Sequence, residues 1–298
     1  MAGRRRASGG VSRWALGAAA LAFAAAAVVL ALLALDHVQS RTPDDAAGPV
    51  PTFAPATPSP PATAAPAPMP YDSAAQRFIA AGDGVLWRGT AGACGGTSPS
   101  LERSIDEGQT WVDVSPEYLG IGQLLGVDAF AGSQAEIIAG MGPDCEVQLL
   151  RTFTQGEFWA PYPDVLAGST FVDPSASRLV VGSGAPIDTP CDRSHGLRRW
   201  GTSVAIVCEG TAYVLDAQTW KPLDLPSVVA IAPDGEELLL ASISDACAGI
   251  ALTRSTVDGS STDSGCVEAS DPTSATALIA TPVSITLWSG DDWIKLPR

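Results

Sequence analysis

The chain has 298 residues, of which 17 are Lys or Arg and 32 are Asp or Glu, for a formal net charge of −15. That length allows one or two domains with a sizeable core. Five of the basic residues and three of the acids fall within residues 1–70, which leaves residues 71–298 with 12 basic and 29 acidic residues. A region this acidic repels phosphate backbones, so we expect a solvated surface and no nucleic-acid partner.

The first 35 residues have the composition of a membrane anchor. Residues 1–13 are basic, and residues 14–35 form a run of 22 residues without a charge. At about 1.5 Å per residue, such a helix spans the roughly 30 Å hydrocarbon core of a bilayer, and the flanking arginines predict a cytoplasmic N-terminus. The alternative is a cleavable signal peptide, which has a shorter apolar region and a small-residue cleavage site. The run ends on Leu35 and Asp36, which favours an uncleaved anchor.

Residues 36–70 are expected to form a disordered linker. Residues 42–70 hold ten of the 24 prolines, and proline-rich tracts favour extended polyproline II over helix or sheet. At about 3.1 Å per residue, the tract reaches roughly 90 Å. The sequence therefore predicts a single-pass membrane protein whose C-terminal domain, residues 71–298, is held outside the cytoplasm on a stalk.

The cysteines agree with that compartment. All six follow residue 70, and none belongs to a C-x-x-C pair. A scattered, even set outside the cytoplasm indicates disulfides rather than zinc. Pairing neighbours in the sequence predicts the disulfides Cys94 with Cys145, Cys191 with Cys208, and Cys247 with Cys266, although six cysteines allow other connectivities.

Residues 71–298 show almost no helical periodicity. Short runs of Val, Ile and Leu are interrupted by Gly, Pro, Asp or Ser about every 8–12 residues, as in an all-β sandwich, barrel or propeller. Strand–turn–strand segments recur at 127–140, 170–183 and 229–242, and tryptophans follow turn-like segments at 111, 159, 220 and 293. Four strands in about 40–50 residues is the size of a propeller blade. The repeats predict an all-β propeller of about five or six four-stranded blades. The 61-residue interval between Trp159 and Trp220 is long enough to hide a short extra blade around residues 197–210.

The segment RSIDEGQTW, residues 103–111, carries the most specific motif. From Ser104 to Trp111 it matches S-x-D-x-G-x-T-W at every defined position. It resembles the Asp-box, or bacterial neuraminidase repeat, of sialidases and of several non-enzymatic propellers. Degenerate copies, such as RTFTQGEFW ending at Trp159, strengthen the resemblance. The resemblance implies a sialidase-like propeller over roughly residues 77–298, with the box at the blade periphery, away from the axial funnel.

Physical chemistry gives the box residues a structural role. Gly108 supplies the positive φ of a hairpin turn, and Asp106 can accept hydrogen bonds from backbone N–H groups of the turn. Ser104 and Thr110 can tie the strand ends, and Trp111 can bury about 150–250 Å² between neighbouring sheets. The degenerate copies replace the aspartate, a change that a turn tolerates and a catalytic site does not.

Catalytic signatures are missing from the sequence. A sialidase-like site needs an arginine triad drawn from separate blades, and three of the domain's arginines, Arg103, Arg151 and Arg254, lie in peripheral box positions. His37 and His195 are the only histidines, too few for a His-rich zinc site. No P-loop, dinucleotide fingerprint or EF-hand loop is present. We expect no catalytic residue, no cofactor and no metal ligand, and bound calcium on an acidic loop stays open.

One basic segment interrupts the acidic domain: CDRSHGLRRW, residues 191–200. Arginines can make bidentate contacts to an anionic group. The candidate ligand-binding residues are therefore Arg193, His195, Arg198, Arg199 and Trp200. The alternative is a solvated loop that is tethered by a disulfide at Cys191, and the sequence leaves both open.

The sequence as a whole predicts a non-enzymatic binding or assembly module of a bacterial cell envelope, anchored in the membrane through residues 14–35. Its propeller face would hold a carbohydrate, a peptide or an envelope protein. The alternatives are a sialidase-like glycoside hydrolase with an unrecognised catalytic site and a purely structural envelope protein. An enzyme should bring several carboxylates and arginines together in the axial funnel, whereas a binding module should present aromatic side chains or a coherent charged patch there.

Overall fold

The computed structural model of the protein describes residues 71–175 and 177–298. The predicted basic tail, membrane-spanning helix and linker, residues 1–13, 14–35 and 36–70, lie outside the described residues. Within the described part, no helix has the length and apolar character needed to cross a membrane. That part is almost entirely β-structure, with one α-helical turn and two 3-10 turns.

The strands form six antiparallel sheets, and each sheet is a meander of strands that follow one another in the sequence. Each sheet is one blade, numbered in chain order. Blade 1 contains β1 (Arg77–Ala81), β2 (Leu86–Thr90), β3 (Ser100–Ser104) and β4 (Val112–Asp113), and blade 2 contains β5 (Ile121–Phe130), β6 (Gln134–Met141), β7 (Glu146–Thr152) and β8 (Ala160–Pro161). Blade 3 contains β9 (Thr170–Asp173), β10 (Arg178–Val181) and β11 (Ile187–Asp188), and blade 4 contains β12 (Ser194–Trp200), β13 (Ser203–Cys208), β14 (Thr211–Asp216) and β15 (Thr219–Pro222). Blade 5 contains β16 (Val228–Asp234), β17 (Glu237–Ser244), β18 (Cys247–Ser255) and β19 (Ser261–Val267), and blade 6 contains β20 (Thr276–Ala280), β21 (Ser284–Ser289) and β22 (Asp292–Pro297). The 3-10 turns are Ser73–Ala75 and Glu117–Leu119, and helix α1 is Pro163–Leu166.

The six blades close into a ring. The first strand of each blade contacts the first strand of the next, and β20 of blade 6 contacts β1 of blade 1. The buried apolar side chains form clusters in and between adjacent blades rather than one central core. The structure is therefore a six-bladed β-propeller.

The apolar runs in the sequence are the middle strands of these blades. Residues 204–208 of β13 and 238–242 of β17 are consecutively buried. A middle strand is covered on both faces by the neighbouring blades, so its sequence is continuously apolar rather than alternating. This is why short runs of Val, Ile and Leu, rather than a period of two, marked the strands.

The structure settles the blade count at six and corrects the strand count. Four blades have the predicted four strands, and blades 3 and 6 have three. The long interval between Trp159 and Trp220 contains blade 3, at residues 170–188, and the first three strands of blade 4. Residues 197–210, where a short extra blade is expected, belong to blade 4 instead. Blade 3 is small because its three strands and the turns between them take up only 19 residues, from Thr170 to Asp188.

The ring closes at the seam between blades 6 and 1. Among the described residues, neither of these blades contributes a strand to the sheet of the other. The Arg88 guanidinium lies between the rings of Trp111 and Trp288, 4.2 and 5.0 Å from their centroids, and pairs with Glu102. Trp111 also packs edge-on against Trp293 of blade 6, with ring centroids 4.8 Å apart. Cation–π and aromatic edge contacts each contribute roughly 0.5–2 kcal/mol, so this cluster replaces the sheet hydrogen bonds that a shared strand would supply.

The 104–111 turn joins β3 to β4 and is held by hydrogen bonds from its backbone to its own side chains. The buried Ser104 Oγ accepts a hydrogen bond from the Gly108 N–H (2.9 Å), and Asp106 accepts from the N–H and the hydroxyl of Thr110 (2.9 and 2.6 Å). These bonds, chiefly that from the Thr110 hydroxyl, lower the pKa of Asp106 to about 2. Gly108 has the predicted positive φ, at 89°. The Trp111 indole donates to the Gly108 carbonyl (3.1 Å) and closes the turn.

The copy in blade 2 preserves the bonds without the acid. Thr152 Oγ1 accepts from the Gly156 N–H (2.8 Å), as Ser104 does in blade 1. Thr154 Oγ1 accepts from the Phe158 N–H (2.8 Å), which is the bond that Asp106 makes in blade 1. A hydroxyl can therefore take the place of the carboxylate, because the turn needs an acceptor and not a charge.

The tryptophans of these segments join adjacent blades. Trp159 of blade 2 is buried, packs against Trp87 of blade 1 and donates to the Val114 carbonyl (3.1 Å). Trp220 of blade 4 donates to the Asp188 carbonyl of blade 3 (2.9 Å). Trp293 differs, because it follows the turn between the second and third strands of blade 6 rather than that between the third and fourth.

The cysteines pair as the sequence order predicts. Cys94 pairs with Cys145, Cys191 with Cys208 and Cys247 with Cys266, with Cα atoms 5.9, 5.8 and 5.6 Å apart. The first bond joins blades 1 and 2, the second fixes the start of blade 4, and the third lies within blade 5. All three fit the oxidising compartment that the sequence predicts.

Candidate functional site

The first strands of the six blades surround an axial channel. At one end the turns of blades 1 and 2 are joined by a hydrogen bond from the Asp83 N–H to the Gly132 carbonyl (3.1 Å). At the other end, the disulfide of Cys94 and Cys145 joins the loops of the same two blades. The first strands therefore run in the same direction. We call the end at which they begin the proximal end and the end at which they finish the distal end.

The axial cavity, of about 310 Å³, receives side chains from the first strand of every blade. In four of the six strands these residues lie in the second half, so the cavity occupies the distal part of the channel. Its first-strand lining is residues 78–81, 125–129, Thr170, 197–199, Pro233 and 278–280. Its volume is at the lower end of the range of roughly 300–1,000 Å³ that is usual for ligand pockets.

The basic segment 191–200 supplies the cationic part of this lining. Its residues from Ser194 onward form β12, the first strand of blade 4, and not a solvated loop. Arg198 and Arg199 line the axial cavity near the distal end. His195 lies near the proximal end of the same strand, and Arg193 precedes the strand and is exposed. The structure thus brings two of the five candidate residues to one cavity and separates Arg193 and His195 from them, while Trp200 ends the strand.

Most of the hydrogen-bond donors of the Arg198 side chain have no acceptor among the described residues. Among the described residues its only acceptor is the carbonyl of Leu197 (2.9 Å), although a guanidinium carries five N–H groups. Burial lowers the pKa of Arg198, and Asp128 opposes that effect. No described carboxylate lies within 4.0 Å of the guanidinium. The side chain is therefore a partly buried cation whose remaining donors have no described protein acceptor.

Asp128 is the acidic counterpart in the cavity, and it comes from β5 of blade 2. Its side chain is exposed to the cavity, although protein surrounds the site. That partial burial raises the pKa of Asp128, the positive charge of Arg198 lowers it, and the neighbouring Glu136 raises it further. The axial cavity therefore presents an anion from blade 2 and a cation from blade 4, near each other but not in direct contact, with blade 3 between them.

A second cavity, of about 390 Å³, opens between blades 2 and 3. It shares Asp128, Ile138, Thr170 and Arg199 with the axial cavity, so the two have a common wall. The rest of its lining is largely polar: Glu136, Asp164, Val165, Gly168 and Ser169. The helix α1 and the loop after it create this cleft, because they connect blade 2 to the small blade 3.

Only some of the carboxylates that line this cleft lack a salt-bridge partner among the described residues. Glu136 faces Asp128 across the β5–β6 pair but is bound by Arg151, with N–O distances of 2.6 and 2.8 Å. Arg151 in turn lies over the rings of Phe130 and Tyr162. Asp128 and Asp164 have no described ion-pair partner within 4.0 Å.

The three arginines that the sequence assigns to the blade periphery lie away from the axial cavity. Arg103, Arg151 and Arg254 lie on the third strands of blades 1, 2 and 5 and bind Gln155, Glu136 and Asp234. Arg198 and Arg199 both belong to one strand. Among the described residues, no arginine triad drawn from separate blades lines the axial cavity. The same residues contain no cluster of three His, Cys, Asp or Glu side chains that could hold a metal ion.

Comparison with known proteins identifies no family for this chain. No family model matches the sequence, and no curated protein gives a significant match. The solved structures that resemble the chain include the SapL1 lectin in complex with alpha methyl fucoside, at 13% identity and a TM-score of 0.46, covering 76% of this chain and 96% of the lectin. A variant of the Aleuria aurantia lectin with alpha-methyl-L-fucoside gives 12% identity and a TM-score of 0.45, covering 77% and 96%. YCF48 bound to D1 peptide gives 15% identity and a TM-score of 0.39, covering 70% and 73%. Likenesses this distant establish neither a family nor a function for this chain.

Proposed function

We propose that this protein is a non-enzymatic binding module whose axial cavity holds a polar ligand through a carboxylate. One observation carries the proposal: Arg198 is a partly buried guanidinium in the cavity wall, with donors that no described protein group accepts. A buried charged group without partners costs free energy, so such groups are usually paired or serve a ligand. A carboxylate fits because its two oxygens match the fork of the guanidinium.

The negative charge of Asp128 narrows the range of suitable ligands further. Asp128 lies close enough to influence the pKa of Arg198, and its side chain is exposed to the cavity. A carboxylate accepts hydrogen bonds from hydroxyl or amine groups. The ligand should therefore carry a donor group beside its carboxylate, as an acidic sugar or the end of a peptide does. A neutral apolar ligand would leave both charges desolvated and unpaired.

The setting of this module is also part of the proposal. We place residues 14–35 in a membrane with the N-terminus in the cytoplasm, and we place the propeller outside the cytoplasm at the end of the linker. The three disulfides support that compartment. The hydrogen-bonded 104–111 turn and its relative in blade 2 support membership of the Asp-box propellers.

The proposal is tested with the purified full-length chain on an array of acidic and neutral glycans and of peptides with free or amidated C-termini. We expect binding of carboxylate-bearing ligands and a loss of about tenfold or more in Arg198→Gln, because a charge-assisted hydrogen bond contributes roughly 1.5–3 kcal/mol. Arg193→Gln is the matched control, since Arg193 is an exposed arginine of the same segment outside the cavity. Equal losses in both variants, or binding only of neutral ligands, would contradict the proposal.

A glycoside hydrolase is the second candidate, and Asp128 is the observation that favours it. Its raised pKa suits a general acid, and Asp164 lines the same cleft as a second carboxylate. Turnover of a panel of aryl glycosides that disappears in Asp128→Asn would establish this function. Against it stands the pairing of the nearer carboxylate, Glu136, with Arg151.

A further inference from the structure

The side chain of Tyr71 packs against a first strand on the far side of the ring. Blade 4 is opposite blade 1 in a ring of six, because two blades separate them in either direction. Tyr71 precedes β1 of blade 1 by only six residues, yet its ring stacks on His195 near the start of β12 in blade 4. The ring centroids are 3.8 Å apart, with 12° between the planes. To make that contact, the chain must pass over the axis at the proximal end of the channel.

The stacked pair lies at this end of the channel. Tyr71 Oη and His195 Nδ1 are both shielded from solvent. Burial lowers the pKa of His195 to about 4 against the opposing effect of the Arg193 and Val229 carbonyls, and burial chiefly raises the pKa of Tyr71. The axial cavity with Arg198 lies on the distal side of this pair.

We infer that Tyr71 is a plug that closes the proximal mouth of the channel, so that the axial cavity is reached from the distal mouth while the plug is seated. The closure is inferred from the stacking and from the shielding of Tyr71 Oη and His195 Nδ1. Its consequence for a ligand, that withdrawal of Tyr71 opens a second route to Arg198, rests on the proposed function.

The Tyr71 side chain is held less firmly than the backbone that follows it. Neither Tyr71 Oη nor His195 Nδ1 has a hydrogen-bond partner among the described residues. The segment that follows is held more firmly, because the Gly92 N–H donates to the Ala74 carbonyl (3.0 Å) and the Ala91 N–H to the Gln76 carbonyl (2.8 Å). A buried polar atom without a partner opposes the closed position. Stacking therefore holds Tyr71, whereas backbone hydrogen bonds fix residues 74–76, and the chain between them can act as a hinge.

The reactivity of His195 toward diethyl pyrocarbonate, followed by peptide mass spectrometry on the folded full-length chain, tests the plug. We expect His195 to be protected in the wild type and in Tyr71→Phe, which keeps the ring and removes only the hydroxyl. In Tyr71→Ala we expect modification faster by about tenfold or more, because protection of a buried group depends on its local opening. The urea-unfolded chain gives the rate of the unprotected residue.

Two results would overturn the inference. One is a wild-type His195 that reacts as fast as in the unfolded chain, and the other is a folded Tyr71→Ala variant that stays as protected as the wild type. Near-ultraviolet circular dichroism establishes whether the variant is folded. If Tyr71→Ala is unfolded, the modification rates of His195 in the wild type and in Tyr71→Phe still test the inference, because a plug requires His195 to be protected in both.

Ligand binding separates the plug from the proposed function. If both hold, the carboxylate-bearing glycan or peptide selected on the array associates faster with Tyr71→Ala than with the wild type, and Arg198→Gln weakens binding while His195 stays protected. If His195 becomes reactive in Tyr71→Ala but Arg198→Gln leaves binding unchanged, the plug stands and the proposed site fails. If Arg198→Gln weakens binding but Tyr71→Ala changes neither reactivity nor association rate, the site stands and the plug fails.

Discussion

Replacing His195 with Phe should remove a component of the acid sensitivity of this protein. Burial lowers the pKa of His195 from 6.5 to about 4 in the folded chain. Between those values the unfolded chain binds a proton that the folded chain does not, so acidification favours unfolding in this window. Below about pH 4 both states are protonated and the effect is complete. Phe keeps a planar ring for Tyr71 to stack on and cannot titrate.

The size of this effect follows from the pKa values of His195 in the folded and unfolded chains. Each full pH unit between two pKa values corresponds to about 1.36 kcal/mol, and integrating the linkage between pH 7 and pH 5 gives at most about 2 kcal/mol of stability lost through His195. Urea denaturation of both proteins at several pH values in this range measures it. The wild type should lose about that much more stability than His195→Phe, because every other titrating group is common to both proteins. A difference between the two proteins that does not change with pH would refute the reasoning.

Three substitutions test the architecture by urea denaturation. Ser104→Ala leaves the Gly108 N–H without its acceptor at a buried position, and we expect a loss of about 1–3 kcal/mol against near zero for an exposed serine. Arg88→Met removes the cation between two tryptophans at the seam and should cost about 1–3 kcal/mol, more than an exposed arginine of another blade. Replacing Cys94 and Cys145 together with Ala opens a loop with a sequence separation of 51 residues and should cost up to about 4 kcal/mol. Losses below about 0.5 kcal/mol in any of these would contradict the role given to that contact.

The sequence predicts the local parts of this fold well. The box turn depends on residues within eight positions of one another, and the bonds of Ser104, Asp106 and Thr110 are those that their side chains suggest. The disulfides are also well predicted, because each joins cysteines that are neighbours in the cysteine order. The three-stranded blades were not predicted, since an outer strand is short and exposed and has no strong apolar pattern to mark its presence or absence.

The candidate site was predictable only where its residues are neighbours in the sequence. Three arginines in ten residues drew attention to 191–200, and two of them line the axial cavity. Asp128 and Tyr71 reach the channel from other blades, and no local pattern distinguishes either from an ordinary surface acid or aromatic residue. His195 and Arg193 share the segment with Arg198 but point to other places, because position along a strand decides which end of the channel a side chain reaches.

A double-mutant cycle on Arg198 tests the proposed site most directly. It compares the wild type and Arg198→Gln, each binding the strongest ligand found on the array and the analogue in which a carboxamide replaces the carboxylate. If Arg198 holds that carboxylate, both single changes weaken binding and the two effects are not additive, with a coupling of roughly 1.5–3 kcal/mol. Additive effects, with a coupling within about 0.5 kcal/mol of zero, would show that the carboxylate is bound elsewhere and that the axial cavity is not the binding site.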